Sequence, residues 1–317
     1  MLDSYGRNID YLRLSVTESC NLRCRYCVPE NFLPCNDIMT ESEILCAVRS
    51  AVSVGIMKVR ITGGEPLMRA DILSVCEGIA GIPGVRELCI TTNGTFLAGM
   101  AEALRRSGVQ NVNISLDTLD PQRYEYLTRG GSIAHVLAGI EAAVSAGFEK
   151  VKVNAVLIGG FNDDEIERLA GLSYEFPVDV RFIELMPSGF CGQNDFVSCD
   201  EVLKRLPGAV SSNAGGGRVH TAALPGEGTA ELYHLPGALG NIGLIRTVSR
   251  IFCPNCRRIR LTYDGKIKPC LHSSEEIDIK GMSEEGMKNA FARAVMMKPP
   301  VRPGFFLGRR TMNMIGG

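Results

Sequence analysis

The chain has 317 residues, 45% of them hydrophobic, and a net charge of −1. That length accommodates a large barrel plus a smaller unit, and the near-neutral balance excludes a global basic field that would draw nucleic acid or an acidic membrane surface. No apolar run is long enough to span a membrane and Met1-Leu2-Asp3 opens nothing like a secretory signal, so a cytoplasmic enzyme is expected.

The first predicted strand, residues 11–16, leads into Cys20-Asn-Leu-Arg-Cys24-Arg-Tyr-Cys27. Three thiols separated by three and then two residues can wrap one corner of an iron-sulfur cube, leaving one iron open. An open iron can chelate the amino and carboxylate groups of S-adenosylmethionine, which points to radical chemistry rather than electron storage. A structural zinc site is the alternative, but it recruits four protein ligands and no fourth Cys or His lies nearby.

Thr40-Glu-Ser-Glu43 is a capping box that opens a helix with Ile44, Leu45, Val48 and Val52 on one face. Further strands are predicted at 58–62, 87–91, 111–117, 150–157 and 178–184, each followed by turn chemistry and a helical stretch. This is the pattern of parallel βα units.

Within those strands polar residues repeatedly share one face. Arg13 and Ser15 oppose Leu12 and Leu14; Lys58, Arg60 and Thr62 oppose Val59 and Ile61; Asn113, Ser115 and Asp117 oppose Val112, Ile114 and Leu116; Lys152 and Asn154 oppose Val151 and Val153. An ordinary barrel fills its interior with branched apolar residues and a doubly wound sheet is apolar on both faces. A wide barrel with a wet, cationic lumen fits instead, in which Arg13, Lys58, Arg60, Lys152 and Arg181 converge on one anion. The Thr62-Gly-Gly64-Glu-Pro66 turn after the second strand lets backbone come close to a ligand.

From about residue 206 the helical period is lost and short antiparallel strands are expected, placing a boundary between residues 1–205 and 206–317. A second trio follows, Cys253-Pro-Asn-Cys256 with Cys270, and Arg258 and Arg260 stand beside it on alternate residues. It can hold a second cube with an open iron, or a Cys₃His zinc site completed by His272. The Arg pair favours a substrate-binding site, because two guanidinium groups beside a closed zinc would have no task. Cys35, Cys46, Cys76, Cys89, Cys191 and Cys199 lack ligand spacing and read as packing groups or surface thiols.

The first cysteine loop, with its aromatic before the third thiol, resembles the radical S-adenosylmethionine superfamily. The resemblance narrows through Tyr11-Leu-Arg13-Leu-Ser-Val-Thr17, Arg60-Ile-Thr-Gly-Gly-Glu-Pro, Thr91-Thr-Asn-Gly94, Ser115-Leu-Asp-Thr118, residues 243–271 and the terminal Met314-Ile-Gly-Gly317. Together these run along nearly the whole chain and are similar to the GTP 3′,8-cyclase family. One departure is Arg257, where the family pattern has Asn.

The resemblance implies an α/β fold: a partial (β/α)6 radical-SAM barrel with a C-terminal α+β domain carrying a second iron-sulfur cluster. It implies two 4Fe-4S clusters on Cys20, Cys24 and Cys27 and on Cys253, Cys256 and Cys270. S-adenosylmethionine is assigned to Tyr26, Gly64, Ser115 and Met186. GTP is assigned to Arg13, Lys58, Arg60, Thr91, Lys152, Arg181, Arg258, Ile259 and Arg260, with Gly316 and Gly317 bending into the lumen; Arg13, Arg258 and Arg260 are the expected catalytic residues. The implied reaction removes H3′ of GTP with a 5′-deoxyadenosyl radical and joins C3′ to C8, giving 3′,8-cyclo-7,8-dihydro-GTP, the first step of molybdenum cofactor biosynthesis. Implied partners are cyclic pyranopterin monophosphate synthase downstream and an electron donor such as flavodoxin or ferredoxin, with the chain a monomer or homodimer. The rival readings are a radical peptide maturase with an auxiliary cluster and a non-catalytic metal-binding module.

Overall fold

The structure is a computed structural model that describes residues 1–34, 37–187, 195–212, 229–305 and 310–315. Cys35, Cys191, Gly316 and Gly317 lie outside the described residues.

Six parallel strands form where the period-two pattern places them: β1 (Tyr11–Ser15), β2 (Lys58–Thr62), β3 (Glu87–Thr92), β4 (Asn111–Ser115), β5 (Lys150–Leu157) and β6 (Val178–Glu184). Helices α1 (Glu41–Ser53), α2 (Ile72–Ala80), α3 (Leu97–Arg106), α4 (Pro121–Thr128), α5 (Ile133–Ser145) and α6 (Ile166–Glu175) fill the crossovers. The capping box at α1 is present, with the Thr40 amide donating to the Glu43 carboxylate at 2.7 Å and the Glu43 amide donating to Thr40 Oγ1 at 3.3 Å. Ile44, Ala47, Val48 and Ala51 form its buried face, whereas Leu45 and Val52 are only half-buried at the flank.

The region after α7 (Cys199–Arg205) adds β7 (Val210–Ser211), β8 (Glu231–His234), β9 (Asn241–Ile245), β10 (Arg258–Leu261), β11 (Lys266–Lys268) and β12 (Ile277–Asp278), then α8 (Glu284–Met296) and α9 (Met312–Ile315). These strands form no separate sheet. β9 pairs in parallel with β6, and β10 pairs in parallel with β1, so one open sheet runs β12-β11-β10-β1-β2-β3-β4-β5-β6-β9-β8-β7. The antiparallel strands expected from the loss of helical period are the hairpin partners β7, β8, β11 and β12 at its two ends.

Leu12, Leu14, Val59, Ile61, Ile90, Val112, Ile114, Val153, Val180, Phe182, Ile259 and Leu261 are essentially inaccessible and pack with the helices in one continuous core. Alternation along each strand sends the intervening residues to the opposite face. Burial therefore sets the register: a one-residue slip would drive the charged row into the helix layer.

Candidate active site between two cysteine trios

Pairing aligns the charged residues across strands. Arg13 lies opposite Arg60 on β2 and opposite Arg260 on β10, and Arg60 lies opposite Cys89. Tyr11 is level with Lys58 and Arg258, Asn113 with Lys152, and Asn154 with Arg181. Residues at matched positions of adjacent strands share a face about 4.8 Å apart, so three arginines stand side by side on β10, β1 and β2.

The same pairing separates the two trios. Cys20 follows the C-terminal end of β1, whereas Cys253 and Cys256 precede the N-terminal end of β10, which runs parallel to it. The antiparallel register of β10 and β11, Arg260 opposite Lys268, brings Cys270 level with Arg258. The trios thus flank the cationic rows from opposite ends, with a strand length of roughly 13 Å from Tyr11 to Ser15 between them.

The first trio closes over β2 and β3 through backbone contacts. The Gly64 amide donates to Thr17 O at 2.7 Å and the Glu65 amide to Ser19 O at 2.8 Å. A Cβ on Gly63 would meet Thr17 O at 2.4 Å, and one on Gly64 would meet Ser19 O at 2.3 Å. The room left by these glycines is therefore taken by the segment entering the cysteine loop. Glu65 is fully buried and accepts from Thr92 Oγ1 and the Asn93 amide, both at 2.7 Å, which fixes the turn against the end of β3. The Asn93 side-chain amide donates to Cys20 Sγ at 3.7 Å.

Burial raises all three thiols of this loop, Cys20 to about 11 and Cys27 to about 12, with Cys20 acting as a like charge on Cys24 and Cys27, and Cys27 on Cys24. Thiols that resist ionising alone yet crowd together suit a cationic iron-sulfur group, which holds them as thiolates. At the second trio burial also raises the Cys256 thiol, but the cations of Arg258 and Lys298 outweigh it and bring it down to about 6. Among the described residues no three His, Cys, Asp or Glu side chains converge on a single metal ion. A cube spreads its thiolates over different irons and needs no such convergence, whereas a Cys₃His zinc site does; buried His272 instead packs edge-on against Phe305 at 5.7 Å.

The residues assigned to S-adenosylmethionine lie at the C-terminal strand ends, the same end of the sheet as the first trio. Tyr26 donates to Asp117 Oδ2 at 2.6 Å and packs against Leu127, Ile158 and Leu185. Ser115 ends β4, and Met186 stands half-buried just beyond β6, both at C-terminal strand ends.

The cations differ in how they are held. Lys58 is ion-paired with Glu87 at 2.6 Å. Arg60 donates through Nε to the Tyr11 hydroxyl at 2.5 Å and through Nη1 to Thr91 Oγ1 at 3.5 Å. Burial pushes Arg13 down to about 10, with Arg258 and Arg60 adding to the effect and Tyr11 opposing it. Arg181 falls to about 10 through burial and Arg60, against Asp179. Lys152 falls to about 7 through burial, then Arg181 and Arg60. Burial, Arg13 and Arg258 hold Arg260 well below the usual guanidinium range. Burial is the first cause of each shift and neighbouring cations add to it, so these groups have lost water that a bound anion would replace. Ile259, by contrast, sends its side chain into the apolar core, leaving only its backbone toward the lumen.

Tyr11 and Asn111 are not singled out as site residues by the sequence, whereas Asn113 and Asn154 stand on the polar face read there. Tyr11 orders Arg60 and places its ring 5.2 Å from Lys58 Nζ. Buried Oδ1 atoms of Asn111, Asn113 and Asn154 and Nε of Arg181 have no hydrogen-bond partner among the described residues, so polar groups line the lumen ready for a ligand. The period-two pattern carried the signal for the asparagines; nothing local marked Tyr11. Arg257 pairs with Asp10 and clips the start of β10 to the start of β1.

Comparison with known proteins shows the family to which the chain belongs. Residues 14–172 match the Radical SAM superfamily and residues 178–302 match Molybdenum Cofactor Synthesis C. The chain is 47% identical over 293 residues to a GTP 3′,8-cyclase of Peptoclostridium acidaminophilum, covering 90% of this chain and 87% of the relative. It is 42% identical to a GTP 3′,8-cyclase of Alkaliphilus metalliredigens over the full length of both. Among solved structures, Streptococcus suis SuiB bound to precursor peptide SuiA is similar with a TM-score of 0.60 at 17% identity, over 84% of this chain and 60% of SuiB. anSMEcpe with bound AdoMet is similar with a TM-score of 0.59 at 12% identity, over 90% of this chain and 76% of that one. The last two likenesses establish the fold alone. The identity to full-length relatives goes further: the chain belongs to the radical SAM superfamily and, within it, to the GTP 3′,8-cyclase family.

Proposed function

We propose that the chain converts GTP to 3′,8-cyclo-7,8-dihydro-GTP, with the nucleotide lying along the cationic rows between the two trios. The observation that carries this reading is the row Arg260, Arg13 and Arg60 across three adjacent strands, flanked by Lys152 and Arg181. Like charges on adjacent strands repel one another in a buried setting, which an anion between them offsets. A triphosphate removes that repulsion and receives forked contacts from each guanidinium.

Cys20, Cys24 and Cys27 would hold one 4Fe-4S cluster and Cys253, Cys256 and Cys270 the other. When bound, the first cluster and S-adenosylmethionine supply the 5′-deoxyadenosyl radical that takes H3′ of GTP. The chain itself contributes binding, orientation and exclusion of water. Tyr26, Gly64, Ser115 and Met186 would position S-adenosylmethionine at the C-terminal strand ends. Arg13, Arg60, Thr91, Lys152, Arg181 and Arg260 would hold the phosphates, Lys58 would act as a Glu87-paired contact at the rim, and Arg258 would orient the base beside the second trio. Holding the nucleotide at both ends fixes the ribose between them.

The segment ending at Ile315 enters the same space: Arg260 Nη1 donates to Ile315 O at 2.9 Å, and buried Asn313 donates to Glu18 O at 3.1 Å. The expectation that Gly316 and Gly317 reach the Arg set falls on residues outside those described. The cysteines of the described residues are all free thiols, which supports a reducing, cytoplasmic setting. No helix among the described residues is long and apolar enough to cross a membrane. Flavodoxin or ferredoxin would deliver the electron, and cyclic pyranopterin monophosphate synthase would consume the product.

Anaerobic incubation of iron-reconstituted protein with dithionite, S-adenosylmethionine and GTP tests this, with mass spectrometry for 5′-deoxyadenosine and a cyclised nucleotide. Both together are expected. Deoxyadenosine without a nucleotide product would move the substrate elsewhere, and neither product would remove the radical chemistry.

A further inference from the structure

Behind the second trio, two buried cations tie together segments distant in sequence. Lys298, two residues past α8, is 3% exposed, and its ammonium donates to Arg258 O at 2.8 Å and to Pro269 O at 3.1 Å. Arg258 stands two residues after Cys256, and Pro269 immediately precedes Cys270. One side chain thus bridges the adjacent ends of β10 and β11 at the level of the thiols.

Arg7 holds Lys298 in turn. Its guanidinium, paired with Asp3 at 2.6 Å, donates to the carbonyls of Cys253 at 2.9 Å, Pro299 at 2.8 Å, Pro300 at 3.2 Å and Lys298 at 3.3 Å. The chain after α8 is therefore clamped to the turn that bears Cys253.

The charges are unequal. Arg7 has the Asp3 carboxylate, but among the described residues the ammonium of Lys298 has only carbonyl partners. A buried ammonium without a counter-ion is costly, and nearby thiolates are the anions that balance it, as the influence of Lys298 on Cys256 shows.

We propose that Lys298 is a positioning residue of the second iron-sulfur site: its ammonium joins the two carbonyls beside Cys256 and Cys270 and supplies countercharge to the thiolates they present. The inference rests on the reading of Cys253, Cys256 and Cys270 as cluster ligands. A positive charge held there stabilises the more negative, reduced state of the group and so raises its reduction potential.

The test uses the full chain with Cys20, Cys24 and Cys27 changed to Ala, so that all bound iron reports the second site. If this background binds no iron, the ligand reading fails and the proposal falls with it. If it binds iron, Lys298→Met should lower iron and sulfide content several-fold and move the midpoint potential of what remains in the negative direction, and Lys298→Arg should restore both. Unchanged iron content and midpoint in Lys298→Met would overturn the proposal. Folding is separated by a second pair: Lys298→Met should lower the Tm of the chain with its second trio intact, yet leave unchanged or raise the Tm when Cys253, Cys256 and Cys270 are Ala, because no thiolate then balances the ammonium. An equal loss in both backgrounds would make Lys298 a plain structural brace and overturn its electrostatic role.

Discussion

Arg260 on β10 donates through Nη1 to the carbonyl oxygen of Ile315, the last residue of α9 and fully buried, at 2.9 Å. A residue beside the second trio and the C-terminal segment are thereby locked to one another. The backbone of Asn313 also donates to the Cys27 thiol, so this short segment touches the first trio as well. The C-terminal segment thus links Arg260 on β10 to the first cysteine trio.

Arg260→Ala should lose the nucleotide product at least about 100-fold, or about 3 kcal/mol, the scale for removing one partner of a desolvated charge contact. Iron content should stay unchanged, since Arg260 ligates nothing. Arg258→Ala should do the same at the second trio. Product assays beside iron analysis check both variants; normal turnover by either would remove that arginine from the site.

Arg310 should matter without reaching the lumen. It pairs with Asp264 at 2.9 Å and with Glu276 at 2.6 Å, anchoring the start of the docked segment. Arg310→Ala should lower kcat/KM for GTP about 10- to 100-fold, the range for a lost buried ion-pair anchor, and combine less than additively with Arg260→Ala. Additive losses in steady-state kinetics would mean that the two residues act independently.

Nucleotide binding should take up a proton at pH 8. Lys152 is held down to about 7 by burial and by Arg181 and Arg60, with Lys150 adding and Asp179 opposing, so above pH 7 it is mostly neutral in the empty site. A bound triphosphate favours its charged form and draws the proton back. Affinity for GTP should thus weaken as pH rises through 7, and calorimetry in buffers of different ionisation enthalpy should detect uptake at pH 8 that Lys152→Met abolishes. Uptake that persists in the variant would place the proton elsewhere.

Gly64→Ala should empty the first site and spare the second. The added Cβ would meet Ser19 O at 2.3 Å and Glu18 O at 2.5 Å, both backbone atoms of the segment entering the cysteine loop. The loop must move, and about half of the iron of a two-cluster enzyme should be lost, with S-adenosylmethionine cleavage lost too. Full iron content would show that the loop shifts without losing its ligand geometry.

The strands, the capping box and both cysteine trios are legible in the chain because each is a local pattern: period-two alternation, a side chain reaching back three residues, thiols spaced within one loop. Arg13, Arg60, Lys152 and Arg181 were recognisable as one polar face for the same reason. Alternation says which face a side chain takes, but not which strands are neighbours. Only the tertiary structure placed β10 beside β1 and β9 beside β6, making one sheet of two regions whose sequence character differs. That pairing set Arg260 next to Arg13 and put the trios at opposite ends of the charged rows. It also revealed that Lys58 is neutralised by Glu87, that the glycines of the Gly-Gly-Glu turn make room for the cysteine loop, and that Lys298 and Arg7 brace the second trio from behind. Contacts between residues tens or hundreds of positions apart leave no periodic trace, because they depend on how finished elements pack rather than on the order in which the residues follow one another.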